Sequence, residues 1–122
     1  VDELNAQVRA ITAGRVMHVL LAGEIDVSEA DHIRGVLQEL IAASPPEVLA
    51  VNLRAVAFFG ASGLTCLLEV RQQVRRGGGT VLITDSSRCV NRLIRMCGLA
   101  EHLGLDNELT GPPQGVRHAQ YN

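Results

Sequence analysis

Residues 53–68, LRAVAFFGASGLTCLL, decide how the whole chain is read. Val48 to Leu53, VLAVNL, is a nearly continuous apolar run, the pattern of a short strand buried on both faces of a parallel sheet. From about Ser62 to Arg76 the period changes to that of a helix. Gly63, Leu67, Val70 and Val74 form its core stripe, with Leu64 and Leu68 flanking and Ser62, Cys66, Glu69 and Gln73 opposite. Gly77-Gly78-Gly79 stops this helix, and Thr80 to Thr84 is apolar again. Residues 48–84 therefore read as strand, helix, strand, joined by the usual right-handed crossover.

Working outward, Val8 to Ile11 and Arg15 to Ile25 read as two strands around the turn Thr12-Ala13-Gly14, which predicts an antiparallel pair. A helix is predicted after Asp26, with Ser28 as N-cap and Asp31 as the acidic residue three positions on. Ile33, Leu37, Leu40 and Ile41 recur at helical spacing until Ser44-Pro45-Pro46 breaks the pattern. A last helix, Ser87 to Cys97, is expected to bury Val90, Leu93, Ile94 and Cys97, with Gly98 closing it. The expectation is a single α/β domain over residues 1–106, with a mixed sheet of four to five strands and helices packed on it, followed by a flexible tail at 107–122.

Composition excludes several classes of function. A chain of 122 residues with 47% apolar content is long enough for one self-sufficient core. A net charge of -2 and scattered basic residues give no field for nucleic acid, and only three aromatic residues are present to stack on bases. No stretch reaches the ~18 apolar residues of a membrane span, and no basic, apolar leader is expected from the first residues of the sequence. Three cysteines without metal-ligand spacing point to a reducing cytoplasm and to no metal. The four histidines share no catalytic spacing, Gly77-Gly78-Gly79 follows a helix and cannot cradle a phosphate, and Gly60-Ala61-Ser62-Gly63 misses the GxSxG spacing. No enzymatic activity and no cofactor are expected.

Phe58-Phe59-Gly60-Ala61-Ser62-Gly63-Leu64 resembles the signature F-[ILM]-D-S-S-G-L of STAS domains, in particular of anti-sigma factor antagonists. Gly23-Glu24-Ile25-Asp26 upstream and Gly77-Gly78-Gly79-Thr80-Val81-Leu82-Ile83 downstream extend the likeness over about residues 5–106. The resemblance implies partner switching. The antagonist binds an anti-sigma factor of ATPase-like kinase fold, the sigma factor is released, and phosphorylation of the first signature Ser ends binding. Here Gly60 stands for the Asp and Ala61 for the acceptor Ser, so no phosphorylation is expected at Ala61. That leaves either an antagonist free of the usual switch or a STAS scaffold or sensor that meets other STAS chains. The implied partner-binding residues are Asp26, Gly60, Ala61, Ser62, Thr65, Cys66 and Glu69, in a monomer or weak homodimer.

Individual residues keep two readings each. Ser62 is first an N-cap or first-turn Ser that satisfies a backbone donor, and second a substitute phosphoacceptor. Asp26 is a partner contact, a helix cap, or both, and Asp85-Ser86-Ser87 reads as the cap of the last helix. Phe58 reads as core. Cys66, Cys89 and Cys97 are either small core or boundary residues or a redox switch that replaces the missing phosphoacceptor. Cys89 has the more reactive setting at a helix start, and Cys66 the better position for affecting binding.

Overall fold

The computed structural model describes residues 6–105. The expected tail at 107–122, and the ends of the expected domain at residues 1–5 and 106, lie outside the described residues. Four strands, β1 (Ala6–Ala13), β2 (Val16–Ile25), β3 (Val48–Phe59) and β4 (Thr80–Ser86), alternate with three helices, α1 (Val27–Ala43), α2 (Ala61–Arg76) and α3 (Arg88–Met96). The sheet order is β1-β2-β3-β4. β1 and β2 are antiparallel, and β2, β3 and β4 are parallel, which is the mixed sheet the periodicity predicts. The two crossovers step the same way across the sheet, so right-handedness places α1 and α2 on one face, where they pack together.

The core lies between that face and the helices. Met17 and Val19 of β2 are in register with Leu49 and Val51 of β3, and with Val81 and Ile83 of β4 beyond. Above them sit Ile33, Leu37 and Ile41 of α1 and Leu67, Val70 and Val74 of α2, and all except half-buried Val81 are buried. Each such aliphatic side chain contributes about 1.5–3 kcal/mol of burial. Leu103 and Leu105 join the same cluster from the segment after α3.

β3 is longer than its apolar pattern suggests. It runs to Phe59, beyond the expected end at Leu53, because its last half continues to pair with β2 through two register shifts. β3 advances from Asn52 to Ala55 while β2 advances from Leu20 to Ala22, and from Val56 to Phe58 while β2 moves from Gly23 to Glu24. Each shift inserts one extra residue into β3, and bulges of this kind bend a strand and re-aim its side chains. Leu53, Val56 and Phe59 are therefore the buried positions, at a spacing of three that hides the strand from a period-two reading.

Helix starts also differ from expectation. α1 has Asp26 as N-cap and not Ser28, and Glu29, not Asp31, completes the capping box, with the Asp26 N–H donating to Glu29 Oε1 at 3.2 Å. Pairing of Ile25 with Phe59 ends β2 one residue before Asp26, so the helix begins there; Asp31 instead pairs with Arg34 at 2.6 Å. α3 is capped at Ser87, but Asp85 turns away to bond the Ser86 N–H and to face Arg54 at 3.4 Å. Cys97 is the exposed C-cap of α3 and not a buried residue, because the helix stops at Met96.

At the end of α2, Gly78 N–H bonds Arg75 O and Gly79 N–H bonds Val74 O, with Gly78 at φ +91°. This is the paired hydrogen-bond pattern of a Schellman cap. A Cβ on Gly79 would meet Pro46 O at 2.5 Å, whereas one on Gly77 would find only ordinary contacts from 3.6 Å. Gly79→Ala is expected to cost about 1–3 kcal/mol and Gly77→Ala less than about 1 kcal/mol, read as shifts in the urea midpoint.

Candidate functional site

The carboxyl ends of β2, β3 and β4 lie side by side, and this is the edge of an open α/β sheet where ligands and partners meet. Backbone bonds hold the three loops in place. Gly60 N–H donates to Ile25 O at 3.5 Å, and Ser87 N–H donates to Leu53 O at 3.1 Å. Along this edge Glu24, Asp26, Val27, Ser28, Glu29 and Phe58 line an open cleft of about 520 Å³.

The β3–α2 junction owes its shape to two adjacent aromatic residues that point opposite ways. Phe59 is buried, and its ring lies against Gly63, where a Cβ would come within 2.8 Å of Cε1. Gly63 is therefore in the signature for packing, since only a bare Cα lets the first turn of α2 sit on that ring. Phe58, expected in the core, is 50% exposed and borders the cleft, because the second register shift leaves Phe59 to face inward. Val27 at the start of α1 is also exposed, at 60%.

The structure brings most of the expected binding residues to one surface. Asp26, Ala61 and Thr65 are exposed, and Gly60 and Ser62 are half-buried beside them. Gly60 is the N-cap of α2, so Ser62 lies inside the first turn and does not cap it; its Oγ has no hydrogen-bond partner among the described residues. Ala61 is the first helical residue, with no acidic residue in that turn. Gly60 has an extended backbone that any residue adopts, and a Cβ there would sit 3.5 Å from the Phe58 ring, an ordinary contact. Geometry therefore permits Asp at 60 and Ser at 61; their absence is a property of the sequence alone.

Glu69 lies further along α2 and faces α1, 3.4 Å from Arg34. Cys66 is only 2% exposed and belongs to the core, which removes it from the contact surface. Its helical spacing from Ser62 suggested an outer position, but α1 covers that side of α2. Burial pushes the Cys66 thiol up to about 11, with Arg34 opposing and Glu69 and Asp31 adding to the rise. Of the exposed thiols, Cys89 sits closest to the site, its Sγ 3.2 Å from Ala57 O, the residue before Phe58. No group of three His, Cys, Asp or Glu side chains among the described residues is arranged to hold a metal ion, and no described helix is long and apolar enough to cross a membrane.

The residues that sequence reasoning missed are Phe58 as an exposed group, Val27, and Glu29 as the partner of the Asp26 cap. The spacing Asp26-x-x-Glu29 was a legible signal for the last, while the first two depend on the bulges in β3.

Comparison with known proteins places this geometry in context. A STAS domain family model matches residues 7–110. The anti-sigma-F factor antagonist RsfA of Mycobacterium tuberculosis is 29% identical over 103 residues, covering 84% of this chain and 79% of the relative. The crystal structure of an anti-sigma factor antagonist from Mycobacterium paratuberculosis superposes with a TM-score of 0.73 at 25% identity, over 86% of this chain and 92% of that one. The unphosphorylated anti-sigma factor antagonist SpoIIAA shares the fold, with a TM-score of 0.71 at 17% identity over 88% of this chain and all of its own.

Three outcomes follow from the site geometry. Gly63→Ala would gain about 1 kcal/mol of helix propensity but is expected to be net destabilising, because overpacking against the Phe59 ring costs about 1–3 kcal/mol. In native protein, a thiol reagent should titrate Cys89 and Cys97 at once and Cys66 only on unfolding. Since the folded Cys66 pKa lies above its ordinary 9.0, the unfolded state loses its proton first. Its contribution to stability is full below pH 9 and falls as pH rises toward 11, and the urea midpoint of Cys66→Ala should show a shallower decline over that window.

Proposed function

The chain belongs to the STAS domain family, and on that premise we propose that it is an anti-sigma factor antagonist, which binds an anti-sigma factor and so frees a sigma factor. It acts by binding and not by turnover, in the cytoplasm, where its thiols stay reduced. The observation that carries this reading is the exposed Phe58, which lines the cleft at the sheet edge together with the exposed Val27. An accessible aromatic ring at the border of a cleft is the form of a binding hot spot. The carboxylates of Glu24 and Asp26 next to it set orientation and partner choice.

The partner is an anti-sigma factor with an ATPase-like kinase fold that would cover the β3–α2 loop and the exposed side of α2. The contact residues are Asp26, Gly60, Ala61, Ser62 and Thr65, joined by Phe58 and Val27; Cys66 supports them from the core, and Glu69 lies at the margin. A phosphate at position 61 would add ~1.5 to 2 negative charges at the covered loop, beside the existing carboxylates. Ala61 has no hydroxyl to accept it, and Ser62 is half-buried within the helical turn. The domain therefore stays in the binding state, and control passes to its expression or to competing partners. Among the thiols, Cys89 is the one whose oxidation would disturb Phe58, through its contact with Ala57.

The test is a pull-down from native extract with and without reductant, followed by identification of the captured proteins by mass spectrometry. An ATPase-fold anti-sigma factor is expected in both conditions, and capture only under reduction would assign control to the exposed thiols. Recovery of STAS chains alone would replace this reading with a scaffold. With the partner in hand, Phe58→Ala is expected to weaken binding by about 30-fold or more, a hot-spot loss of ~2 kcal/mol. Ala61→Asp should weaken binding as well, and the double variant Gly60→Asp, Ala61→Ser should become a phosphoacceptor for the partner in the presence of ATP.

A further inference from the structure

A second surface lies at the far end of α2. The helix presents three sides: Gly63, Leu67, Val70 and Val74 face the core, while Glu69 and Gln73 reach α1 through Arg34 and the Gln38 carbonyl. The third side carries Leu68, Arg71, Gln72, Arg75 and Arg76, which line an open groove of about 500 Å³. The three arginines in it have no carboxylate within ion-pair distance among the described residues. The acidic cleft at the other end of the domain has the opposite character. Glu24 and Asp26 are exposed and without an ion pair among the described residues, and the Phe58 ring stands beside them. From Ala61 to Arg75 the rise of α2 separates the two ends by about 20 Å, so one copy cannot bring its own arginines to its own cleft.

We propose that the arginine groove binds a second copy of this chain, head to tail, with Arg75 and Arg76 of one copy entering the Glu24–Asp26 cleft of the next. Guanidinium groups suit such a cleft because they pair with carboxylates through a planar fork and also stack on an aromatic ring such as Phe58. The surfaces joined are different on the two copies, so the contact does not close on itself as a two-fold dimer does and can extend along a row. Isolated surface ion pairs are weak and screened by salt, so assembly belongs to high concentration and low ionic strength.

Sedimentation equilibrium of the purified chain alone tests this, and because no other protein is present the result does not depend on the proposed partner. The average mass is expected to rise above 13.1 kDa with concentration in about 20 mM salt, without a plateau at the dimer, and to return to the monomer value in about 500 mM salt. Arg75→Glu with Arg76→Glu, and separately Glu24→Arg, should each stay monomeric, with circular dichroism confirming that they fold. Glu24→Arg spares the Asp26–Glu29 cap, so it remains informative if the arginine variant is unstable. Mixing the two variants should restore a complex, since each supplies the end the other lacks. A monomer at every concentration, or an association that ignores salt and both charge reversals, would overturn the proposal.

Discussion

The contact between the Phe59 ring and the bare Cα of Gly63 is the constraint on which the site depends. It joins the end of the central strand to the first turn of α2, and any side chain at 63 would force the two apart. With Phe59 held inward, its neighbour Phe58 faces solvent, and the loop between strand and helix is short enough that Gly60 is both the last link and the N-cap. Pairing of Phe59 with Ile25 then sets the start of α1 beside the start of α2. One buried ring thus fixes the relative placement of Asp26, Phe58 and Ala61, which come from separate parts of the chain.

That arrangement holds the shape of the proposed binding surface without a phosphoacceptor. Gly60 and Ala61 are compatible with the same backbone that Asp and Ser would use, because the cap is extended and the space at Gly60 is open. On the proposed reading, replacement of the acceptor leaves the docking shape intact. What this edge presents is a ring, small side chains and a pair of carboxylates, and in the proposed function its binding is governed by the presence of a partner and not by a covalent mark on this loop.

The same α2 helix serves two ends of the domain. Its N-terminal turn belongs to the loop edge, and its C-terminal arginines complement the negative end of the helix dipole while leaving charge to spare. Salt bridges elsewhere, such as Arg15 with Glu47 and Arg54 with Asp85, are exposed and add little to stability. Stability comes from the aliphatic core under α1 and α2.

Local pattern was enough to place every helix and strand of the described chain, because VLAVNL, the α2 stripe and the triple glycine each have one physical reading. It also located the missing acceptor, which needs only residue identity. Tertiary structure decided the rest. Two extra residues in β3 shift its register against β2, so a spacing of three becomes a strand and Phe58 turns out to solvent. The end of β2 pairing chose Asp26 over Ser28 as the cap, since both sit in plausible capping sequences. Packing of α1 on α2 buried Cys66, and the stop of α3 at Met96 exposed Cys97, the reverse of what their helical positions suggested. Periodicity reports which side of an element is apolar; it carries no information on what lies across from that side or where a neighbouring strand lets go, and those two facts determine which residues a partner can reach.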